Sequence, residues 1–440
     1  MADLDGSGLA AEAFVYGFPL VFNLREVTRF TREGMGSLPA APFNSFAHAV
    51  QLAGPEDTFV TINNDTLYST ANVDVSGGPV SLDVPDAAGR YYVLQFVDAW
   101  TNNFAYIGHR ATGTAAGSFL LVGPSWSGDA GSAQVIRFPT DVATIVGRWA
   151  VAGAADVPTV RALQEGLRLT ATGPARGLPG GAEAVADDLR FWEQLRVWML
   201  AFPPAERDLG LLRRFEPLGL LARESPFLDP DSALAAGLRA GEVKGRAQME
   251  KALTSGPSPE QNGWKLTYHA FDYNLDFFEI GSIDDDRWKL PDGPARYLER
   301  ALAARGGLWG NHGYEAAYAM VYVDGNGDQL DGNASYALRL QKPPPCRAFW
   351  SVTMYDTPDF FLVENTIDRY SIGDRTPGLV YDPDGSLTIV MQRDEPSDPT
   401  ARANWLPTPD GAFRPVLRIY EPDDAIFDGR YELPPINRNA

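Results

Sequence analysis

The chain has 440 residues, 45% of them hydrophobic and 21% charged, with 37 Lys and Arg against 57 Asp and Glu, a net charge of −20. That length exceeds what one hydrophobic core usually serves, so two domains are expected. An acidic surface without a Lys/Arg cluster disfavours nucleic acid and anionic membrane as partners, and a single cysteine, Cys346, excludes an intramolecular disulfide or a paired thiolate metal site.

Residues Met1-Ala2-Asp3-Leu4-Asp5 are acidic where a signal peptide is basic, and no segment holds the roughly 18 uninterrupted apolar residues of a membrane span. A cytoplasmic protein is the expectation, or a secreted one that has lost its leader.

From Leu9 to about Phe30, the apolar positions Phe14, Val15, Phe18, Val21 and Phe22 predict an amphipathic helix kinked at Gly17-Phe18-Pro19. A second short helix is expected over Phe46 to Leu52. Seven short runs rich in β-branched and aromatic residues follow: 73–75, 80–84, 91–97, 104–107, 119–122, 135–138 and 142–151. Gly, Pro, Asp and Asn punctuate them, the pattern of an antiparallel sandwich or barrel. Residues 157 to 255 return to three- and four-residue spacing and read as helical, interrupted by an exposed, mobile linker over 173–181. One more helix is expected from Pro294 to Ala304. Strands resume at 316–323, 336–340, 348–355, 387–391 and 415–420. The predicted units are 1–155, an N-terminal helix plus a first β lobe; 156–310, a helical middle; and 311–440, a second β lobe. The β-rich ends suggest two related sandwiches.

Three constellations carry candidate chemistry. The first is Asn63, Asn64, Asp65 and Tyr68, followed by Arg90, Tyr91, Asn102, Asn103 and Arg110. Amide, carboxylate, phenol and guanidinium groups orient polar ligands and move protons. The same residues also make loop caps, turns and buried ion pairs. The second is Trp350, Tyr355, Asn365, Arg369, Tyr370, Asn404 and Trp405, where aromatic faces with polar handles suit a small organic or sugar ligand but equally suit a core. The third, Asp324 to Gly332, begins like a calcium loop. It has Gln329 and Ser335 where glycine and glutamate belong, so a β-hairpin connection is the better reading.

The four histidines are dispersed, without metal-ligand spacing, and there is no Gly-x-Ser-x-Gly, phosphate-binding loop or dinucleotide fingerprint. No cofactor is expected, with a divalent metal on scattered ligands the lesser alternative.

The chain resembles bacterial proteins that pair domain of unknown function 1254 with domain of unknown function 1214. The first is carried by Tyr16-Gly17-Phe18-Pro19, Asn64-Asp65-Thr66-Leu67-Tyr68, Gly89-Arg90-Tyr91-Tyr92, Asn102-Asn103-Phe104 and Gly108-His109-Arg110. The second is carried by Phe349-Trp350-Ser351, Met354-Tyr355-Asp356, Arg369 to Asp374, Asn404-Trp405-Leu406-Pro407 and Arg418-Ile419-Tyr420. The resemblance implies a mainly β fold with helical segments, two jelly-roll-like sandwich lobes and a homo-oligomer. It implies no reaction. Residues 262–290 match none of these blocks and are candidates for tailoring the ligand.

The leading expectation is a cofactor-independent acid/base enzyme, a hydrolase or lyase acting on a small polar or glycan-like substrate between the lobes. Asp65 would serve as base, Tyr68 or Tyr370 as proton donor, and Arg90 or Arg369 as anion stabiliser. The alternatives are a non-catalytic ligand- or carbohydrate-binding protein and a metal-dependent enzyme.

Overall fold

The computed structural model describes residues 7–57, 60–255 and 258–439, so the acidic N-terminal pentapeptide lies outside the described residues. The first lobe contains β1 (Ala47–His48), β2 (Thr66–Asp74), β3 (Val80–Val84), β4 (Tyr92–Asp98), β5 (Asn103–Gly108), β6 (Gly117–Val122), β7 (Gln134–Arg137), β8 (Val142–Ala150) and β9 (Arg168–Ala171). They form a five-stranded sheet, β1-β2-β8-β4-β5, and a four-stranded sheet, β7-β6-β3-β9. Leu67, Val73, Leu94 and Ile145 of one sheet and Val80, Leu82, Phe119 and Ile136 of the other fill a shared core.

The second lobe contains β10 (Glu260–Gln261), β11 (Trp264–Leu266), β12 (Ala316–Val321), β13 (Tyr336–Leu340), β14 (Cys346–Asp356), β15 (Ser371–Gly373), β16 (Leu387–Gln392), β17 (Trp405–Pro407), β18 (Phe413–Pro422) and β19 (Ile436–Arg438). Its sheets run β10-β11-β12-β18-β14-β15 and β17-β16-β13-β19. Without the extra edge strand β10, this is the first lobe's order strand for strand. Even the parallel pair recurs, β6 with β7 and β16 with β17, among otherwise antiparallel neighbours. The two lobes are topological copies, as the β-rich ends suggested. Each lobe also takes strands from the middle region: β9 completes the first, β10 and β11 extend the second.

The large sheets pack against each other. Tyr91, Val93 and Ala150 of the first lobe meet Ala316, Phe349 and Tyr420 of the second in a mixed core. Each large sheet therefore has both faces covered, and β4, β5, β8 and β18 are buried along their whole length rather than alternating.

Of the longer helices, α1 (Ser7–Glu33), α2 (Val157–Gln164), α3 (Arg190–Ala201), α4 (Leu209–Arg214), α5 (Ser232–Ser255) and α6 (Pro294–Gly307), α2 packs on the first lobe through Val160 and the other five form a separate layer. Phe14, Leu20, Leu24, Trp192, Leu195 and Leu238 lie in its core. The helix α1 runs unbroken through Gly17-Phe18-Pro19, and Gly17 has a packing role, since a Cβ there would lie 2.4 Å from a methyl of Leu195. By length and hydropathy α1 could cross a membrane, yet 72% of its most apolar 18-residue window is buried inside the protein.

Two local expectations change. Phe46 to Leu52 is not helical, because Ala47 and His48 pair with Thr70 and Ser69 and the His48 ring bonds the Ser69 hydroxyl at 2.9 Å. A short apolar run fits either period, and an available sheet edge decided it. The 173–181 linker is largely exposed but is tied down, with Gly177 N–H donating to Asp74 at 2.7 Å and Trp198 to the Pro179 carbonyl at 3.0 Å. The Asp324 segment is a hairpin connection, as preferred: Val323 bridges Gln329, and the Asp324 carboxylate accepts the N–H groups of Asn326 and Asp328.

Candidate functional site

Side-chain parity decides which residues face the gap between the large sheets. In β14, Trp350, Val352 and Met354 point into the second lobe's own core, so Ser351, Thr353 and Tyr355 face the first lobe. In β18, Leu417 and Ile419 point inward, so Arg418 and Tyr420 face outward; in β12, Tyr318 does the same. Across from them stand Tyr68 on β2 and Arg148 on β8, with Asp65 just before β2.

The lobe symmetry pairs these groups. Tyr68 is opposite Arg148 in the ladder between β2 and β8, and Tyr318 is opposite Arg418 in the ladder between β12 and β18. Both guanidiniums are buried. Arg148 donates to Gln95 and to the Trp309 carbonyl, each at 2.7 Å, and lies 5.4 Å from the centre of the Tyr68 ring. Arg418 donates to Thr353 at 3.0 Å, the Thr61 carbonyl at 2.9 Å and the Tyr355 hydroxyl at 2.7 Å.

Asp65 is buried and accepts a 2.6 Å hydrogen bond from Ser351 across the lobe boundary. Asn63 holds the turn, accepting from the Asp65 N–H and donating to the Tyr420 hydroxyl. Tyr355 donates to the Ile62 carbonyl at 2.5 Å, and Arg375 donates to the Asp65 carbonyl at 3.1 Å. Burial first, then Asp65, raises the Tyr420 phenol well above its usual range. Burial also raises Tyr318 and Tyr355, opposed by both arginines at Tyr318 and by Arg418 at Tyr355. These phenols stay protonated at neutral pH, as hydrogen-bond donors rather than bases. Ile62, Asn64, Tyr68, Tyr318 and Met320 are only half-buried and mark the side nearest solvent.

The structure thus brings together Asn63, Asp65, Tyr68 and Tyr355 and borders them with Asn64, whose amide donates to the Ala53 carbonyl at 2.6 Å. It puts the other candidate residues to different uses. Arg90 makes a two-point pair with Asp156 at 2.6 and 2.8 Å, within the first lobe. Arg369 donates to the carbonyls of Ala403 and Trp405, both at 3.0 Å, within the second. Tyr370 donates to Asp368 at 3.1 Å while its ring packs against the cluster that holds Tyr355 and Leu362. Tyr91 and Arg110 both bind the buried Glu315, at 2.9 and 2.5 Å, and so clasp the two lobes together. Asn102 bonds Asp98 and Arg300, and Asn103 bonds Gln95 and the Gly310 carbonyl. Asn365 closes the 365–369 turn, Asn404 ties Val380, Trp405 donates to the Gln392 carbonyl, and Trp350 is core. Among the described residues, no group of three or more His, Cys, Asp or Glu side chains is arranged to hold a metal ion.

Sequence reasoning passed over Arg148, Arg418 and Tyr318 as site residues, and held Ser351 only as part of the run around Trp350 and Tyr355. The signal was present for Arg148, the one charged residue in the apolar strand Val142–Ala150, and weaker for Arg418, which shares Phe413–Pro422 with Arg414 and Glu421.

Fold and site together define a two-lobed protein of repeated β-sandwiches with a polar seam between its facing sheets. Residues 43–171 match the family described as "Protein of unknown function (DUF1254)" and residues 315–424 the family described as "Protein of unknown function (DUF1214)"; the chain belongs to the family that joins these two domains. The crystal structure of the VPA0106 protein from Vibrio parahaemolyticus is similar over 99% of this chain and 100% of that one, with a TM-score of 0.72 at 23% identity. An uncharacterised protein from Burkholderia cenocepacia aligns over 98% of this chain and 88% of that one, with a TM-score of 0.46 at 12% identity. No curated protein matches.

Proposed function

We propose that the inter-lobe group is the active centre of a cofactor-independent acid/base enzyme, a hydrolase or lyase, whose substrate is small, polar or glycan-like, and anionic. The observation that carries this reading is a buried run of groups across the lobe boundary, in which Arg418 acts on the Asp65 carboxylate and on the Tyr355 and Tyr420 phenols while its symmetry mate Arg148 acts on the phenols of Tyr68, Tyr318 and Tyr420. Around the seam the guanidiniums of Arg148, Arg418, Arg375 and Arg414 outnumber the carboxylates of Asp65 and Asp374, so it is net positive when the phenols are neutral. That charge suits an anionic substrate group in a protein whose net charge is −20. Asp65 is the base, and Tyr68, half-buried on the solvent side, is the proton donor. Arg148 and Arg418 take the anion-stabilising role first sought in Arg90 and Arg369, whose guanidiniums are engaged within single lobes.

A second reading is supported by how fully the seam satisfies itself. Every hydrogen bond of Arg418 given above ends on protein, so the group can equally be a polar lock between lobes that bind a ligand without turning it over. Asp65→Asn and Tyr68→Phe separate the two. An asparagine at 65 retains a carbonyl oxygen for Ser351, so the fold survives while the base is lost. With a panel of glycosides, uronides and hydroxy acids, the enzyme reading expects turnover that falls about 100-fold or more in each variant, the scale of a lost general acid or base. Turnover retained by both variants in folded protein refutes it.

A further inference from the structure

We propose a second small-molecule site, in the helical layer and made of none of the inter-lobe residues, that binds a monocarboxylate carrying an aliphatic or aryl body. A cavity of about 290 Å³ opens between α1, α3, α5 and α6, lined by Phe18, Val21, Phe22 and Phe191 with Arg25, Arg246 and Arg305. Phe18 and Phe22 stack with ring centres 5.3 Å apart, giving one wall a flat apolar surface. Its volume lies just below the roughly 300–1,000 Å³ range of ligand pockets, which limits the occupant to a short body.

The charge selects the head group. Three arginines from three helices meet at one apolar cavity in a strongly acidic protein. Two of them are neutralised locally: Arg246 bonds Glu242 at 2.9 Å and Arg305 bonds Glu250 at 3.1 Å. Arg25 has no carboxylate partner among the described residues; its Nε donates to the Gln194 side-chain carbonyl at 2.8 Å, and its terminal nitrogens remain available. Partial burial lowers its proton affinity; Glu242 works against that shift and Arg246 adds to it. One cation without a matching carboxylate beside an aromatic cavity calls for a single negative charge on an apolar stem, and the guanidinium fork suits a carboxylate in two-point contact. The apolar walls exclude a small inorganic anion as the best fit, since they would go unused.

Calorimetric titration of the full-length protein with sodium octanoate, and with octan-1-ol as the uncharged control, tests the site. Saturable binding of one octanoate per chain is expected, at least tenfold tighter than octanol. Arg25→Met should weaken octanoate about tenfold or more without altering the thermal midpoint, and Tyr68→Phe, in the other centre, should leave it unchanged. Absence of saturable octanoate binding overturns the proposal. So does equal binding of octanol, or undiminished binding by Arg25→Met in folded protein. Because the inter-lobe centre is read by turnover and this site by octanoate affinity, either can fail alone.

Discussion

Replacing Arg418 by methionine removes the charge from the seam while filling much of its volume. In the wild type Arg418 is 3% exposed and its guanidinium donates to Thr353, to the Thr61 carbonyl and to Tyr355. A hydrogen bond to a charged group contributes about 1.5–3 kcal/mol net, but three sharing one guanidinium do not add independently. Breaking a buried charge network costs about 3–5 kcal/mol, and this is the expected loss for Arg418→Met. Urea unfolding at pH 7 should show it as a lower midpoint at an unchanged slope. Tyr355→Phe completes a double-mutant cycle across the 2.7 Å bond, and the coupling should be about 1.5–3 kcal/mol, because the phenylalanine removes the acceptor of a charge-assisted bond. A loss below about 1 kcal/mol for Arg418→Met, or additivity within about 0.5 kcal/mol, refutes the claim that this arginine organises the seam.

By lobe symmetry Arg148→Met should cost a similar amount, about 3–5 kcal/mol in the same urea assay, since it strands Gln95 and the Trp309 carbonyl. His312 is buried between the Tyr106 and Tyr314 hydroxyls, at 3.1 and 2.9 Å, and burial pushes it down from 6.5 to about 4. Its neutral form stabilises the fold above pH 6.5, and that contribution is lost as pH falls through 4. About 2.5 pH units at 1.36 kcal/mol each amounts to roughly 3 kcal/mol. Asp98, raised to about 6 by burial, works in the opposite sense, gaining stability as pH falls from 6 towards 4. The His312→Gln variant isolates the histidine: its stability relative to wild type should improve by about 3 kcal/mol between pH 7 and pH 4, measured by urea midpoints. Gly17→Ala should cost about 1–3 kcal/mol by thermal or urea unfolding, because Leu195, itself fully buried, must yield to the added methyl.

Local pattern was enough to place most strands. The runs at 80–84 and 336–340 coincide with β3 and β13, and the long apolar runs in the first lobe became β4 and β8. What local pattern could not supply was the second face. Within one lobe, an outward Arg418 or Tyr318 reads as a solvated residue; only docking against the other large sheet buries it, and that contact spans hundreds of residues in sequence. The same limit applies to Tyr68, which precedes the strand expected at 73–75 yet lies within β2, opposite Arg148. Arg90 and Arg369 show the reverse error. Each sits among polar neighbours in sequence and looks free for a ligand, yet each is taken by a partner that no spacing rule reveals, Asp156 for one and two backbone carbonyls for the other. The density of polar groups from Asn63 to Tyr68 did point to the seam, because a turn needs fewer of them than are present.

The most direct test of the inter-lobe centre is a turnover screen of the purified wild-type chain run beside Asp65→Asn on the same panel of glycosides, uronides and hydroxy acids. The account predicts at least one substrate whose turnover by the wild type drops about 100-fold or more in the folded variant. Equal turnover by the two proteins would contradict it.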